Sequence, residues 1–236
     1  MNRKYDAVIF DLFGTLIDDL TYPESQMNVY RRVTFEMGSA LGVPAEGFQR
    51  VWTESGDRRM AGEYSDLGAN LEAVCRELGE SPDVRQIAEA VRLRIEYIRS
   101  AMAPRPDTID TLTRLRHSEY KIGLISDCGP GTAAVWGETS FASLIDEAIL
   151  SCSVGMKKHD PRIYELACQR LQVSPDRCLY VGDGGSSELT GMTEMGMHAV
   201  LIRAPYDDTI GGYRERVAGA TYIDSQRGPG TIGRMR

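Results

Sequence analysis

Short apolar runs at Ala7–Phe10, Lys121–Ile125, Ala148–Leu150, Cys178–Val181 and His198–Ile202 alternate, from Pro104 onward, with stretches of helical character. Alternation of this kind leaves few folds open. Strands buried on both faces read as continuous apolar runs, and strands joined through helices lie parallel with right-handed crossovers. The helical stretches fall near Asp107–Leu115, after Gly131, at Pro161–Leu171 and near Leu189–Met195. The first run belongs to the same sheet although it is distant in sequence.

Between the first run and Pro104 the character differs. From about Glu24 to Met102 the chain is charged and helical, with segments at Gln26–Leu41, Ala45–Arg58 and Asp66–Leu78. A last one sets Val84, Ile87, Ala88, Val91, Ile95 and Ile98 on one apolar stripe, which reads as packing. Gly42-Val43-Pro44 and Gly79-Glu80-Ser81-Pro82 punctuate these helices. The expected division is an α/β core of residues 1–17 and 104–236 with an all-α helical cap, residues 18–103, inserted after the first strand. Asp18 and Asp19 open the linker as solvated hinge residues, and the Gly-rich tail from Gly228 to Arg236 is expected to fray.

Composition narrows the partners. Against 27 basic residues stand 34 acidic ones, for a formal charge of -7, and no basic block offers a nucleic-acid footprint. A small anionic substrate is the expected partner, with the chain a monomer or homodimer. Asp6 interrupts any leader-like apolar stretch at the N-terminus, and no run of about 18 apolar residues occurs. The five cysteines form no C-x-x-C pair, and their odd number fits a reducing compartment, so a soluble, cytoplasmic protein is expected.

Polar residues follow the strands in one pattern. Asp11 ends the first run and opens Asp11-Leu12-Phe13-Gly14-Thr15; Ser126-Asp127 ends the second; Gly182-Asp183 ends the fourth. The loop Lys157-Lys158-His159-Asp160-Pro161 delivers Lys158 just before a helix. Carboxyl ends of parallel strands share one edge, where ligands of open α/β sheets bind. A carboxylate, a hydroxyl, a lysine and a second carboxylate gathered there suit attack on an anionic centre.

These motifs, in this order and with a helical insertion in that gap, resemble the haloacid dehalogenase superfamily. The resemblance implies a Rossmann-like parallel sheet and an aspartyl-enzyme intermediate formed on Asp11, with Thr15 holding the loop. Ser126 and Lys158 would hold the anionic group of the substrate; Asp127, beside Ser126, is a candidate for setting the charge of the substrate pocket or else a strand-end turn residue. It also implies Mg²⁺ held by Asp11, the Phe13 backbone carbonyl and Asp183, with Glu188 supporting Lys158 or a metal-bound water.

The sequence departs from the family pattern at two positions. His159 stands where a proline is usual. Phe13 replaces the second Asp of the family's phosphatases, which acts as general acid; phenylalanine has no proton to give. The family's 2-haloacid dehalogenases carry an aromatic residue there, yet they use no metal, whereas Gly182-Asp183 looks like a magnesium site. Tyr30-Arg31-Arg32 is no convincing match to their cap arginine, and the cap offers no obvious lysine for a Schiff base. The expected function is a Mg²⁺-dependent phosphatase of a small phosphorylated metabolite with an atypical general acid. The alternatives are a 2-haloacid dehalogenase and a catalytically weak phosphate-binding protein. Arg58, Arg59 and Tyr64 are candidates for selecting substrate, His159 is a candidate proton donor, and Trp52 and Trp136 are read as packing residues.

Overall fold

A computed structural model describes residues 3–18, 24–203 and 221–224. The strands β1 (Ala7–Phe10), β2 (Lys121–Ser126), β3 (Glu147–Leu150), β4 (Cys178–Gly182), β5 (His198–Arg203) and β6 (Thr221–Asp224) form one sheet in the order β3-β2-β1-β4-β5-β6. Every pairing is parallel. All of β1 is buried, as expected of a central strand covered on both faces. The expected α/β class therefore holds. The sheet has one more strand than the sequence pattern suggests, because β6 is a short Thr-Tyr-Ile-Asp segment with no apolar run to mark it. Asp19 and the tail from Gly228 lie outside the described residues.

Strand register sets up the site. Phe10 at the end of β1 pairs with Leu124 on one side and Val181 on the other. Asp11 thus leaves the sheet beside the last residues of β2 and β4, and its N–H donates to the Val181 carbonyl (2.9 Å). The chain runs outward from β1 through β2 to β3 in one direction and through β4, β5 and β6 in the other. The order reverses at β1, and the crevice beside such a reversal is where this class of sheet receives ligands.

The residues between β1 and β2 supply α1 (Glu24–Leu41), α2 (Ala45–Glu54), α3 (Gly56–Met60), α4 (Leu67–Glu77), α5 (Val84–Ala101) and, back against the sheet, α6 (Thr108–His117). Local signals explain several boundaries. Asp66 caps α4 by accepting from the Ala69 N–H, and Asp83 with Gln86 forms a capping box on α5. The helix expected over Ala45–Arg58 is broken at Ser55, whose hydroxyl donates to the Trp52 carbonyl (3.0 Å). The stripe on α5 is also only partly a packing face. Ile98 is buried and Ile87, Val91 and Ile95 are partly so, but Ala88 is exposed and Val84, the first residue of the helix, is 85% exposed.

One buried apolar cluster runs from the sheet (Phe10, Leu12, Leu124, Val181) into the insertion (Phe48, Trp52, Leu71, Ile98). The two chain crossings between sheet and insertion are joined to each other. Ile17 and Pro104 form an antiparallel bridge, the Arg105 N–H and the Thr108 hydroxyl both donate to the Leu16 carbonyl, and Arg105 pairs with Asp18 at 3.0 Å. Further on, Lys157 pairs with Asp57 of α3 (2.7 Å) and Arg99 with Glu138 (2.6 Å). The remaining elements are α7 (Pro130–Val135), α8 (Ser151–Val154), α9 (Pro161–Leu171) and α10 (Glu188–Glu194).

Candidate active site

Asp11, Thr15, Ser126, Lys158, Asp183 and Glu188 are all buried at the carboxyl edge of the sheet. The Thr15 hydroxyl donates to Asp11 Oδ2 (2.9 Å), fixing the carboxylate from within its own loop. Gly14, between them, has φ +77°, and a Cβ there would overlap the Asp183 carboxylate. Only glycine permits both the turn and that approach. Asp183 is in turn oriented by the Gly185 N–H, which donates to Oδ1 (2.8 Å).

Lys158 stands between two carboxylates. Its Nζ donates to Asp11 Oδ1 and to Glu188 Oε2 (2.8 Å). Both oxygens of Glu188 are engaged: Oε2 also accepts from the Tyr180 hydroxyl (2.7 Å), and Oε1 accepts from the Gly184 N–H (2.8 Å). Tyr164, behind it, donates to the Glu188 carbonyl (3.0 Å). The tyrosines are absent from the sequence reading. Tyr180 looks there like one more apolar residue of a buried strand, and only the fold reveals which group its hydroxyl meets.

Asp127 Oδ1 accepts from the Lys158 backbone N–H (2.8 Å), tying the strand end that carries Ser126 to the loop that carries Lys158. Ser126 Oγ, by contrast, is enclosed and among the described residues meets no oxygen or nitrogen partner, a donor of the kind that a ligand satisfies. His159 is exposed and takes φ +66°. Proline, held near −65°, cannot adopt that angle. Phe13 is half-buried against the apolar cluster.

Asp11, Asp183 and Glu188 have carboxylate oxygens within 4.8 Å of one another, and Lys158 pairs with Asp11 and Glu188. Burial pushes the Asp11 carboxyl up to about 8; Lys158 opposes the rise, while Glu188 and Asp183 add to it. Burial alone would lower Lys158, but the adjacent Asp11 and Glu188 outweigh it and raise its pKa. Desolvation and the Glu188 charge likewise raise Tyr180, so its phenol stays a donor. Buried carboxylates this close to one another favour a proton or a hard cation between them.

A family model described as haloacid dehalogenase-like hydrolase matches residues 5–196. The chain belongs to that family. Glyceraldehyde 3-phosphate phosphatase of Methanopyrus kandleri is 28% identical over 208 residues, covering 84% of this chain and 83% of its own. (S)-2-haloacid dehalogenase 4A of Burkholderia cepacia is 23% identical over 205 residues, covering 83% and 82%. Among solved structures, a family enzyme of Bacteroides thetaiotaomicron in its magnesium complex superposes with a TM-score of 0.62 at 14% identity, over 87% of this chain and 96% of that one. The protein is thus a hydrolase whose relatives divide between phosphate and carbon-halogen chemistry. Among the described residues no helix is long and apolar enough to cross a membrane.

Of the residues proposed for substrate selection, Arg58 is exposed and paired with Glu63 and Glu77. Arg59 and Tyr64 instead turn inward: the Arg59 side chain lies against Gly129, three residues beyond Ser126, and Tyr64 is 8% exposed. Trp52 is fully buried and stacked on Phe48, and Trp136 meets Phe141 edge-on, as packing residues do.

Proposed function

We propose that this hydrolase is a Mg²⁺-dependent phosphatase of small phosphorylated metabolites, with residues 18–103 serving as a cap over a core of residues 1–17 and 104–236. The observation that carries this reading is the gathering of the Asp11, Asp183 and Glu188 carboxylates, with oxygens within 4.8 Å of one another, at the carboxyl edge of the sheet. Glu188 accepts three hydrogen bonds, from Lys158, Tyr180 and Gly184, so the ligands we assign to a cation are Asp11 and Asp183, with the Phe13 carbonyl beside Gly14. Oxygen donors of this kind fit Mg²⁺. Bound there, the ion would offset the repulsion between an anionic nucleophile and an anionic phosphate.

The chain's own groups supply the rest. Asp11 attacks phosphorus, the bond to the leaving oxygen breaks, and water later opens the aspartyl phosphate to return the carboxylate. Thr15 and Lys158 hold Asp11 in the attacking orientation, and Lys158 with the open Ser126 hydroxyl receives the transferring group. Glu188, fixed by Tyr180 and Gly184, keeps Lys158 in place. The name of the Methanopyrus relative supports a phosphorylated metabolite, and the magnesium complex of the Bacteroides enzyme supports the metal.

Phe13 favours the second reading, carbon-halogen cleavage, since halide leaves without a proton. The two are separated by leaving-group dependence. A phosphatase lacking its general acid should hydrolyse aryl phosphates far faster than alkyl phosphates, in Mg²⁺ and not in chelator. Calorimetry should detect Mg²⁺ binding to the wild type and not to Asp183→Ala. Metal-independent halide release from a 2-haloacid would establish the alternative, and silence on both panels would favour a phosphate-binding protein.

A further inference from the structure

Four of the five cysteines meet in two pairs. Cys168 on α9 and Cys178 on β4 have sulfurs 3.8 Å apart, but both are buried among apolar side chains. The other pair is differently placed. Ser126 at the end of β2 is paired in register with Leu150 at the end of β3, and Cys128 and Cys152 each lie two residues beyond that pair. Ser151 ties the two turns together: its hydroxyl accepts from the Cys128 N–H (3.0 Å) and donates to the Cys128 carbonyl (3.2 Å). The two thiols share a hydrogen bond. Cys128 is buried, whereas Cys152 is part-exposed.

Cys128 also touches the site. Its sulfur accepts from the Ser126 hydroxyl, so a hydroxyl and two thiols form a chain that leads from the sheet edge towards solvent. Cys152 meets the insertion as well, since a Cβ on Gly62 would overlap the Cys152 carbonyl oxygen. The shared hydrogen bond draws the Cys152 thiol down to about 7, with burial opposing and the Ser153 hydroxyl assisting. The same bond, together with burial, pushes Cys128 up. A part-exposed thiolate with a protonated thiol beside it is the arrangement of an attacking and a resolving cysteine.

We infer that Cys152 and Cys128 form a peroxide-reactive dithiol site, which closes to a disulfide beside Ser126 and slows hydrolysis. The Cys152 thiolate attacks one oxygen of hydrogen peroxide, the O–O bond breaks, and the departing hydroxide takes a proton to become water; the sulfur, oxidised by two electrons, now carries a hydroxyl. The Cys128 sulfur displaces that hydroxyl. The S–S bond forms, the S–O bond breaks, and the hydroxide takes the Cys128 proton and leaves as water. Two thiols and one peroxide thus become one disulfide and two waters, and a small dithiol reductant restores the pair. A disulfide holds its sulfurs about 2.05 Å apart, well inside hydrogen-bonding separation, so the turn after Ser126 is drawn towards α8 and the Ser126 hydroxyl leaves its position. A misplacement of about 1 Å can cost on the order of 10²-fold in rate.

The dithiol site stands without the phosphatase reading, and only the choice of substrate for the turnover assay rests on it. The reduced full chain is treated with hydrogen peroxide, alkylated, digested and mapped by mass spectrometry, with p-nitrophenyl phosphate turnover in Mg²⁺ measured before and after. The map should show Cys128 linked to Cys152 ahead of any link between Cys168 and Cys178. Turnover should fall about 10-fold or more and return with dithiothreitol. Cys152→Ser should match the untreated wild type and no longer lose turnover to peroxide, whereas Cys168→Ser should lose it as the wild type does. Equal peroxide loss in Cys152→Ser, a Cys168 to Cys178 link forming first, or Cys152 linked to a second copy of the chain would each overturn the site. A Cys128 to Cys152 link with turnover unchanged would uphold the dithiol and overturn its hold on hydrolysis. Absence of turnover in every state would sink the phosphatase reading instead, and the map alone would then decide the site. If Cys152→Ser fails to fold, the wild-type map and the recovery with dithiothreitol decide.

Discussion

The sheet edge and the insertion both bury cations, with opposite bookkeeping. At the edge, Lys158 is held by Asp11 and Glu188, and Glu188 is held by Tyr180 and Gly184. In the insertion, Arg94 has aromatic rings about it and, among the described residues, no ion pair. A charge answered within the protein maintains a geometry, whereas one held among rings carries a desolvation cost that no opposite charge offsets. The contrast can be broken or sharpened by substitution.

The largest effect is expected at Asp11. Asp11→Asn should lower turnover on the order of 10⁴-fold or more, since loss of a nucleophile removes the reaction path itself, while circular dichroism shows the fold intact. Near wild-type turnover would end the aspartyl-enzyme proposal. Next comes Lys158→Met, which strands two buried carboxylates and should cost about 3–5 kcal/mol in denaturant unfolding. Against the neutral or raised stability expected of Arg94→Met, a loss of similar size at both positions would erase the distinction between the two regions.

Phe13→Asp adds a carboxylate to the edge. A well-placed general acid contributes roughly 10²- to 10⁴-fold, but an acid transplanted into this packing should give only about a tenfold gain on alkyl phosphates. Equal gain on aryl phosphates would show that Phe13 does not mark a missing acid.

The smallest effect is a pH slope. Burial holds Asp11 up to about 8, with Lys158 opposing and Glu188 and Asp183 assisting, above its unfolded value near about 4. The folded state therefore binds the proton more tightly. This contribution is complete below about pH 4 and is lost as pH rises toward about 8. Metal-free protein should lose stability across that window, Asp11→Asn should flatten the slope, and Mg²⁺ should offset the loss at the upper end. A metal-free wild type whose melting temperature holds level from pH 5 to pH 8 would contradict the raised carboxyl.

The edge was legible in the sequence because a strand end is a local event. Apolar runs locate β1, β2 and β4, and parallel register then carries Asp11, Ser126 and Asp183 to a common side without further information. Lys158 is readable from the Pro161 that starts its helix. Much of the insertion was not legible, for a matching reason. Arg94 has the sequence context of a solvated helix position, and Arg58 and Arg59 are indistinguishable neighbours until packing turns one outward and the other onto Trp52. The role of Tyr180 was hidden in the same way, since its partner Glu188 lies beyond a turn whose Ser186 and Ser187 both take left-handed angles.

The crossing at Ile17 and Pro104 has a consequence for how such a chain is assembled and altered. With both strands of the crossing bonded to each other, the sheet meets the whole helical segment as a loop already closed at its base. Closure entropy depends only weakly on what lies beyond such a neck. Exchange of the segment for another one grafted at the same neck should leave the sheet able to fold while changing what reaches it, provided the replacement covers the apolar cluster that the sheet now shares with the insertion.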